Sequence, residues 1–207
     1  RDHIRPLDML IPDQIIDRTR NRTSTFFENG IIAHIAFSDP FCPEISSVLA
    51  GAARKQATTH VGGTCVVIEG PQFSTRAESE LYRSFGADII GMTALPEAKL
   101  AREAEMCYAT LALVTDFDTW HQTEDDVSVD LVIANLRRNV ASSRLVMHEV
   151  ASRLPTARSC TCGHALESAI ITDPAYIGNE ARERLAAIIG NRIPKAGEAA
   201  GIPVGRR

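Results

Sequence analysis

The chain predicts an α/β fold on three observations. Two short apolar runs, residues 87–92 and 109–115, are each bounded by helically spaced apolar residues and each ends in polar ones. A third run at 64–69, TCVVIE, is almost continuously apolar, which suits a strand covered on both faces. Gly and Pro punctuate the segments between the periodic stretches. In open parallel sheets ligands sit at the carboxyl ends of strands. The polar residues that follow the first two runs are therefore where a site is sought: Thr93 and Glu97, then Asp116 and Asp118.

In chain order, residues 9–16 (MLIPDQII) are β-rich but contain Pro12, which has no N–H for a central ladder, so an edge or bent strand is expected. The polar stretch 18–30 reads as a loop able to fold over something. A further apolar run, 30–37, contains His34. Pro40 and Pro43 lead into a predicted helix over 44–56, where Ile45, Val48, Leu49 and Ala52 fall in helical spacing. Gly62 and Gly63 open the strand 64–69, and Gly70 and Pro71 end it. Ser74 or Thr75 caps a helix running to 85, with Glu78 three residues after Thr75 as in a capping box and Gly86 at the C′ position. A strand at 88–92, a helix at 96–105 with Pro96 at its first position, and a strand at 107–115 follow.

After a loop at 120–126, Ser128 caps a long helix ending near residue 154. Its expected apolar stripe is Val129, Val132, Ile133, Leu136, Val140, Val146, Met147 and Val150. Two short helices, 165–171 and 180–189, make a C-terminal helical tail. One domain is expected over 1–192, followed by a flexible Gly/Pro-rich end at 193–207.

With 207 residues the chain can bury a sizeable core. No apolar run approaches bilayer length, which argues against a membrane role. A net charge of −4 argues against nucleic-acid binding, which needs clustered Lys and Arg. Five cysteines in a chain this long do not form a secreted disulfide framework, and no signal-peptide pattern is seen, so a reducing cytoplasm is expected. Cys160, Cys162 and His164 form C-x-C-x-H, which lacks a second ligand pair at zinc spacing; no metal is expected.

Several linked blocks stand in a fixed order: DQIIDRT at 13–19, DPFCP at 39–43, EGPQFSTRAES at 69–79, GADIIGMTALPEAKLARE at 86–103, LALVTDFDTW at 111–120 and VSVDLVIANL at 127–136. Together they resemble the 5′-methylthioadenosine phosphorylases of the trimeric purine nucleoside phosphorylase family. The resemblance implies a nucleoside phosphorylase-like, twisted mixed β-sheet flanked by helices. It also implies phosphorolysis of 5′-methylthioadenosine to adenine and 5-methylthioribose 1-phosphate. Inorganic phosphate would be the co-substrate, no metal or organic cofactor would be needed, and the assembly would be a homotrimer. Two alternatives are a purine nucleoside phosphorylase acting on adenosine and a non-catalytic family member.

A purine leaving a ribosyl carbon needs its ring nitrogen protonated or hydrogen-bonded, and a carboxylic acid with a raised pKa can do this. Asp116 and Asp118, two apart, could share a face or converge from a turn. By resemblance Asp116 shares the N7 proton and Asp118 meets N6; a lone D-x-D would otherwise read as a solvated turn. A carboxylate that accepts from an amino group also favours a 6-amino over a 6-oxo purine.

By the same resemblance Met92 contacts ribose and Thr93 phosphate, where unaided reading makes Met92 core and Thr93 a helix cap. Phe73 stacks on the base with Ser74 beside it, and Ile90 is wall; core packing is the plain reading for Phe73 and Ile90. Val129, Val132 and Ile133 line the 5′-substituent pocket, where an apolar wall suits a methylthio group, although a buried stripe would look the same. His34 reaches a neighbouring subunit's site, or is a structural histidine. In some relatives a C-x-C near the end forms a disulfide. Complete relatives carry a Gly-rich phosphate loop, an Arg-His pair and a Thr-Ala pair ahead of the matched segment. Arg1 aligns just after these, so most of the phosphate site is expected to be missing from this polypeptide. Leu7 stands where the family tends to have Gly.

Overall fold

A computed structural model describes residues 1–119, 129–190 and 192–193, the side chains of Val129 and Leu131 excepted. The expected cap Ser128, the loop 120–126 and residues 194–207 lie outside that set.

Strands β1 (Met9–Ile11) and β2 (Gln14–Arg18) are one run bent at Pro12, as the proline predicts. Strands β3 (Thr59–Val61) and β4 (Thr64–Ile68) bend beside it at Gly62 and Gly63. The two bent runs pair in parallel throughout, β1 with β3 and β2 with β4. Gly62 and Gly63 have φ of 85° and 108°, which Gly adopts without penalty. At Gly63 a Cβ would stand 2.8 Å from Asp88 Oδ2. Asp13 Oδ1 accepts from the Gly63 N–H at 2.9 Å and closes the corner.

The bend divides the ladder into two three-stranded sheets, ordered β3-β1-β6 and β2-β4-β5. Strand β5 (Ile89–Gly91) runs parallel to β4, while β6 (Ala112–Leu113) runs antiparallel to β1. The expected strand at 107–115 thus pairs only at its centre. Its start is tied elsewhere: the Cys42 N–H donates to the Tyr108 carbonyl at 2.7 Å.

Helices α1 (Pro43–Ala53), α2 (Arg76–Ser84), α3 (Ala94–Glu103) and α4 (Val129–Arg153) fall where sequence periodicity predicts them. Thr75 caps α2 through a full capping box with Glu78, and Gly86 follows with φ of 86°. Leu95, at φ −116° and ψ 140°, interrupts the start of α3, so regular helix begins at Pro96 as expected. Alternation along β4 explains its unbroken apolar character. Cys65 and Val67 face Leu95 and Ala98 of α3, whereas Val66 and Ile68 face Tyr82 of α2. Val66 and Val67 are both fully buried. Burial of that kind is worth roughly 1.5–3 kcal/mol per side chain, more than a helix cap supplies.

Met9 and Ile11 of β1 pack with Leu49 and Ala52 of α1 and with Val146 and Val150 of α4. Of the expected α4 stripe, only Val146 and Val150 are buried among the described side chains. Ile133, Leu136, Val140 and Met147 are exposed, and the buried face nearer the start of α4 carries Asn135 and Asn139. These asparagines are satisfied in the interior because their side-chain amides donate to backbone carbonyls, which an apolar side chain could not do.

The C-terminal segment differs most from expectation. Residues 165–171 form no helix; a 3₁₀ turn, Thr161–His164, precedes a stretch in which Ile170 bridges Ala33. The His34 N–H donates to Ala169 O, and the Ile171 N–H to Ile32 O, so these backbone groups are engaged across the pair and not within a helix. Residues 30–37 accordingly make one bridge and no longer strand. The last predicted helix divides at Leu185 into α5 (Asn179–Arg184) and α6 (Ala186–Ile189). These pack with Phe27, Ile31, Leu166 and Ile193 in a separate core cluster. No described helix is long and apolar enough to cross a membrane.

Candidate active site

The polar loop 18–30 does fold over the sheet. Arg22 donates through Nη1 to Met92 O at 2.7 Å and to Leu95 O, and through Nη2 to Glu69 O at 2.8 Å. Its Nε meets Glu69 Oε2 at 3.0 Å. One planar guanidinium thus ties the carboxyl end of β4 to that of β5, the geometry to which Arg is suited. Just beyond those ends lie Phe73, Ser74, Met92 and Thr93.

The second focus is the exit of β6. Because β6 is antiparallel to β1, it leaves the sheet where β1 begins: the Leu7 N–H donates to Val114 O, and the Val114 N–H donates to Asp8 O. The expectation that both apolar runs end at the carboxyl edge of one parallel sheet is corrected here. The D-x-D comes from the other sheet and borders one cleft with Ile89 and Ile90 of β5.

Four polar side chains fix this exit. On α4, Asn135 Nδ2 donates to Thr115 O at 2.6 Å and Asn139 Nδ2 to Val114 O at 2.9 Å. Spaced i, i+4, they share one face of the helix. Thr115 Oγ1 donates to Asp116 Oδ2, and Ser79 Oγ, from the buried face of α2, donates to Asp118 Oδ2. The Thr119 N–H adds a bond to Asp118 Oδ1 at 2.9 Å. The two carboxylates are half-buried and border a cleft of about 140 Å³ with Phe117, Ile90 and Ser79.

Asp116, Asp118 and Ile90 are therefore brought together. Met92 packs beneath the turn at Gly70, where a Cβ would stand 2.6 Å from its Sδ, and lies in the cluster with Ile68 and Tyr82. Thr93 is exposed at the start of α3, and its hydroxyl makes no capping bond. Phe73 is 53% exposed, which removes core packing as its role. Ser74 is buried beside it, and its Oγ finds no hydrogen-bond partner among the described residues. Val132 is half-buried and Ile133 is 41% exposed. The Val129 side chain lies outside the described set. His34 is exposed on the bridge to the C-terminal segment and does not border the cleft.

Sequence reading missed Arg22, Ser79, Asn135 and Asn139. The asparagines had only a partial signal: they lie four apart and so share one face of the predicted helix. Arg22 and Ser79 had none, because their partners are remote in sequence.

Residues 1–152 match the family described as Phosphorylase superfamily. A relative from Geobacter sulfurreducens, S-methyl-5'-thioadenosine phosphorylase, is 53% identical over 195 residues, covering 93% of this chain and 68% of the relative. The protein of the same name from Koribacter versatilis is 50% identical, with 92% and 65% covered. The chain thus spans about two thirds of the length of these relatives. A crystal structure of methylthioadenosine phosphorylase from an antarctic soil metagenomic library superposes with a TM-score of 0.83 at 47% identity, covering 91% of this chain and 67% of that one. The chain belongs to the phosphorylase superfamily, and its relatives there are S-methyl-5'-thioadenosine phosphorylases.

Proposed function

We propose that this protein phosphorolyses 5′-methylthioadenosine, giving adenine and 5-methylthioribose 1-phosphate. The observation that carries the reading is the paired carboxylates, Asp116 and Asp118, fixed at one cleft by Ser79, Thr115 and the α4 asparagines, in a chain about half identical to enzymes of that name.

As the bond from C1′ to the purine breaks, its electron pair passes to the base, and a phosphate oxygen forms the new bond to C1′. Asp116 shares the proton that N7 takes up, and Asp118 accepts from the N6 amino group. Phe73, exposed and beside Ser74, stacks on the base. The unpartnered Ser74 hydroxyl suits a polar atom of the purine, since a buried hydroxyl without a partner costs about 1–3 kcal/mol. Met92 meets the ribose and the Thr93 hydroxyl meets phosphate. Val129, Val132 and Ile133 form the apolar wall for the methylthio group.

The chemistry uses neither metal nor organic cofactor. A cytoplasmic homotrimer follows in this reading, with His34 presented to a neighbouring subunit's site; its exposure is compatible with that role.

The test is adenine release from 5′-methylthioadenosine with and without phosphate. Phosphate-dependent release is expected, and Asp116→Asn should lower kcat/KM by roughly 10²–10⁴-fold, the usual worth of a positioned proton donor. Asp118→Asn should shift preference from 6-amino toward 6-oxo purines. Release without phosphate would mean hydrolysis, and an unchanged base preference would remove Asp118 from the N6 position.

A further inference from the structure

Sequence spacing leaves C-x-C-x-H without a second pair of metal ligands. Folding supplies one. Cys42, Cys107, Cys160 and Cys162 converge so that their four sulfurs all lie within 4.8 Å of one another. Cys107 Sγ and Cys160 Sγ are 3.4 Å apart, and no pair is bonded. Four thiolates around one tetrahedral zinc at about 2.3 Å would stand about 3.8 Å from each other, so the cluster closes on a single ion with small adjustments. The fifth cysteine, Cys65, lies in the β4 core and takes no part.

The geometry points to a structural zinc site in which Cys42, Cys107, Cys160 and Cys162 bind one divalent zinc ion as a tetrathiolate. Three further observations fit it. Cys42 is the N-cap residue of the eleven-residue helix α1, and the positive end of a helix dipole favours a thiolate. Cys42 and Cys162 are only 1% and 3% exposed, so the ion would be shielded from water. Both sequence neighbourhoods are tied by other bonds: the Cys42 N–H to Tyr108 O, and the Ser159 N–H to Glu44 Oε1 at 2.8 Å. The ligands are thus presented by backbone already held in place.

Each bond to zinc forms from a thiol that gives its proton to solvent, so no oxidant or reductant takes part. Four protein ligands leave no open coordination position, which makes the ion structural and not a Lewis acid for substrate. It would join three remote stretches: the start of α1, the run that ends in Asp116 and Asp118, and the C-terminal segment that packs on Phe27 and Ile31. A soft tetrahedral S₄ set selects zinc or iron over magnesium or calcium. The expected reducing compartment keeps the thiols available.

The first test is metal analysis of the purified, untagged protein, prepared with a thiol reductant and no chelator. About one zinc per chain is expected. The double variant Cys160→Ser/Cys162→Ser should retain under a tenth of that, while Cys65→Ala should retain all of it. Should the double variant fail to fold, cobalt(II) added to the metal-stripped wild type decides the matter. Tetrahedral tetrathiolate cobalt shows intense visible d–d bands and a near-ultraviolet thiolate charge-transfer band. Stripping zinc should also open the segment after residue 155 to limited proteolysis. Wild-type protein with four freely alkylated thiols and no metal, with disulfides among these cysteines in the presence of reductant, or with iron in place of zinc would overturn the assignment. None of these readouts depends on catalytic activity.

Discussion

Leu7 shows how a single residue can carry a structural demand against its own preference. It lies in the turn before β1 with φ of 75°, and its N–H donates to Val114 just ahead of the D-x-D. For a residue with a Cβ, the left-handed region costs roughly 1–2 kcal/mol. In ordinary backbone Ala is more stable than Gly, because Gly loses more freedom on folding. At Leu7 the order should invert. Leu7→Gly is expected to exceed Leu7→Ala in stability by about 1 kcal/mol, measured as urea midpoints. Since both variants lose the same leucine side chain, that loss cancels. An Ala variant as stable as the Gly variant would mean that residue 7 has no left-handed requirement.

Helix α2 makes the corresponding case for an element. Its start was legible because capping chemistry is local: Thr75 and Glu78 lie three apart, and both halves of the box form, with the Thr75 N–H donating to Glu78 Oε2 at 2.8 Å. Thr75→Ala should lower stability by about 1 kcal/mol, or roughly 2–4 °C in Tm for a chain of this size. Thr75→Ser should lose little, and a thermal scan showing both variants equal to wild type would remove the cap from the account. Elements defined by local signals were read well in this way: β4 by its apolar run, the bend by Pro12 and the Gly pair, α4 by its length. Those defined by remote partners were not. The run 107–115 is mostly not strand because Tyr108 is engaged by Cys42, and 165–171 is not helix because its backbone pairs with residues 32–34. The D-x-D itself was visible, whereas Ser79 and Arg22, which position the site from other elements, could not be read from a pattern. The same blindness hid Cys42 and Cys107 as partners of the C-x-C pair.

At the scale of the whole molecule, several links between elements share one electrostatic logic, and acid should undo them together. Glu69 is held below the usual carboxylate range chiefly by the Arg20 N–H, with Arg22 adding to it. Glu78 is lowered by the Thr75 N–H and hydroxyl, and Glu149 on α4 by Lys55 beside α1. Burial alone would raise Asp17 of β2, but bonds from Lys99 on α3 and from Thr19 outweigh it and bring its pKa down. For each group the folded pKa lies below the unfolded value, 4.5 for the glutamates and 3.8 for Asp17. The native state therefore binds fewer protons than the unfolded chain in this range. The stabilisation is fully present above the unfolded pKa values and is lost as pH falls through the folded ones. The urea midpoint should change little with these groups from neutrality down to about pH 5.5 and then fall progressively below pH 4.5. Glu69→Gln should flatten part of that fall while lowering the midpoint at neutral pH, because Arg22 then clasps β4 and β5 through carbonyls alone. A midpoint at pH 3.5 equal to that at pH 6 would show that these carboxylates do not couple the elements. Asp17, Glu69 and Glu78 are exposed and Glu149 is partly so, and added salt should therefore shrink the Lys55–Glu149 and Lys99–Asp17 contributions. It should leave most of the Thr75–Glu78 contribution, which comes from hydrogen bonds within one turn.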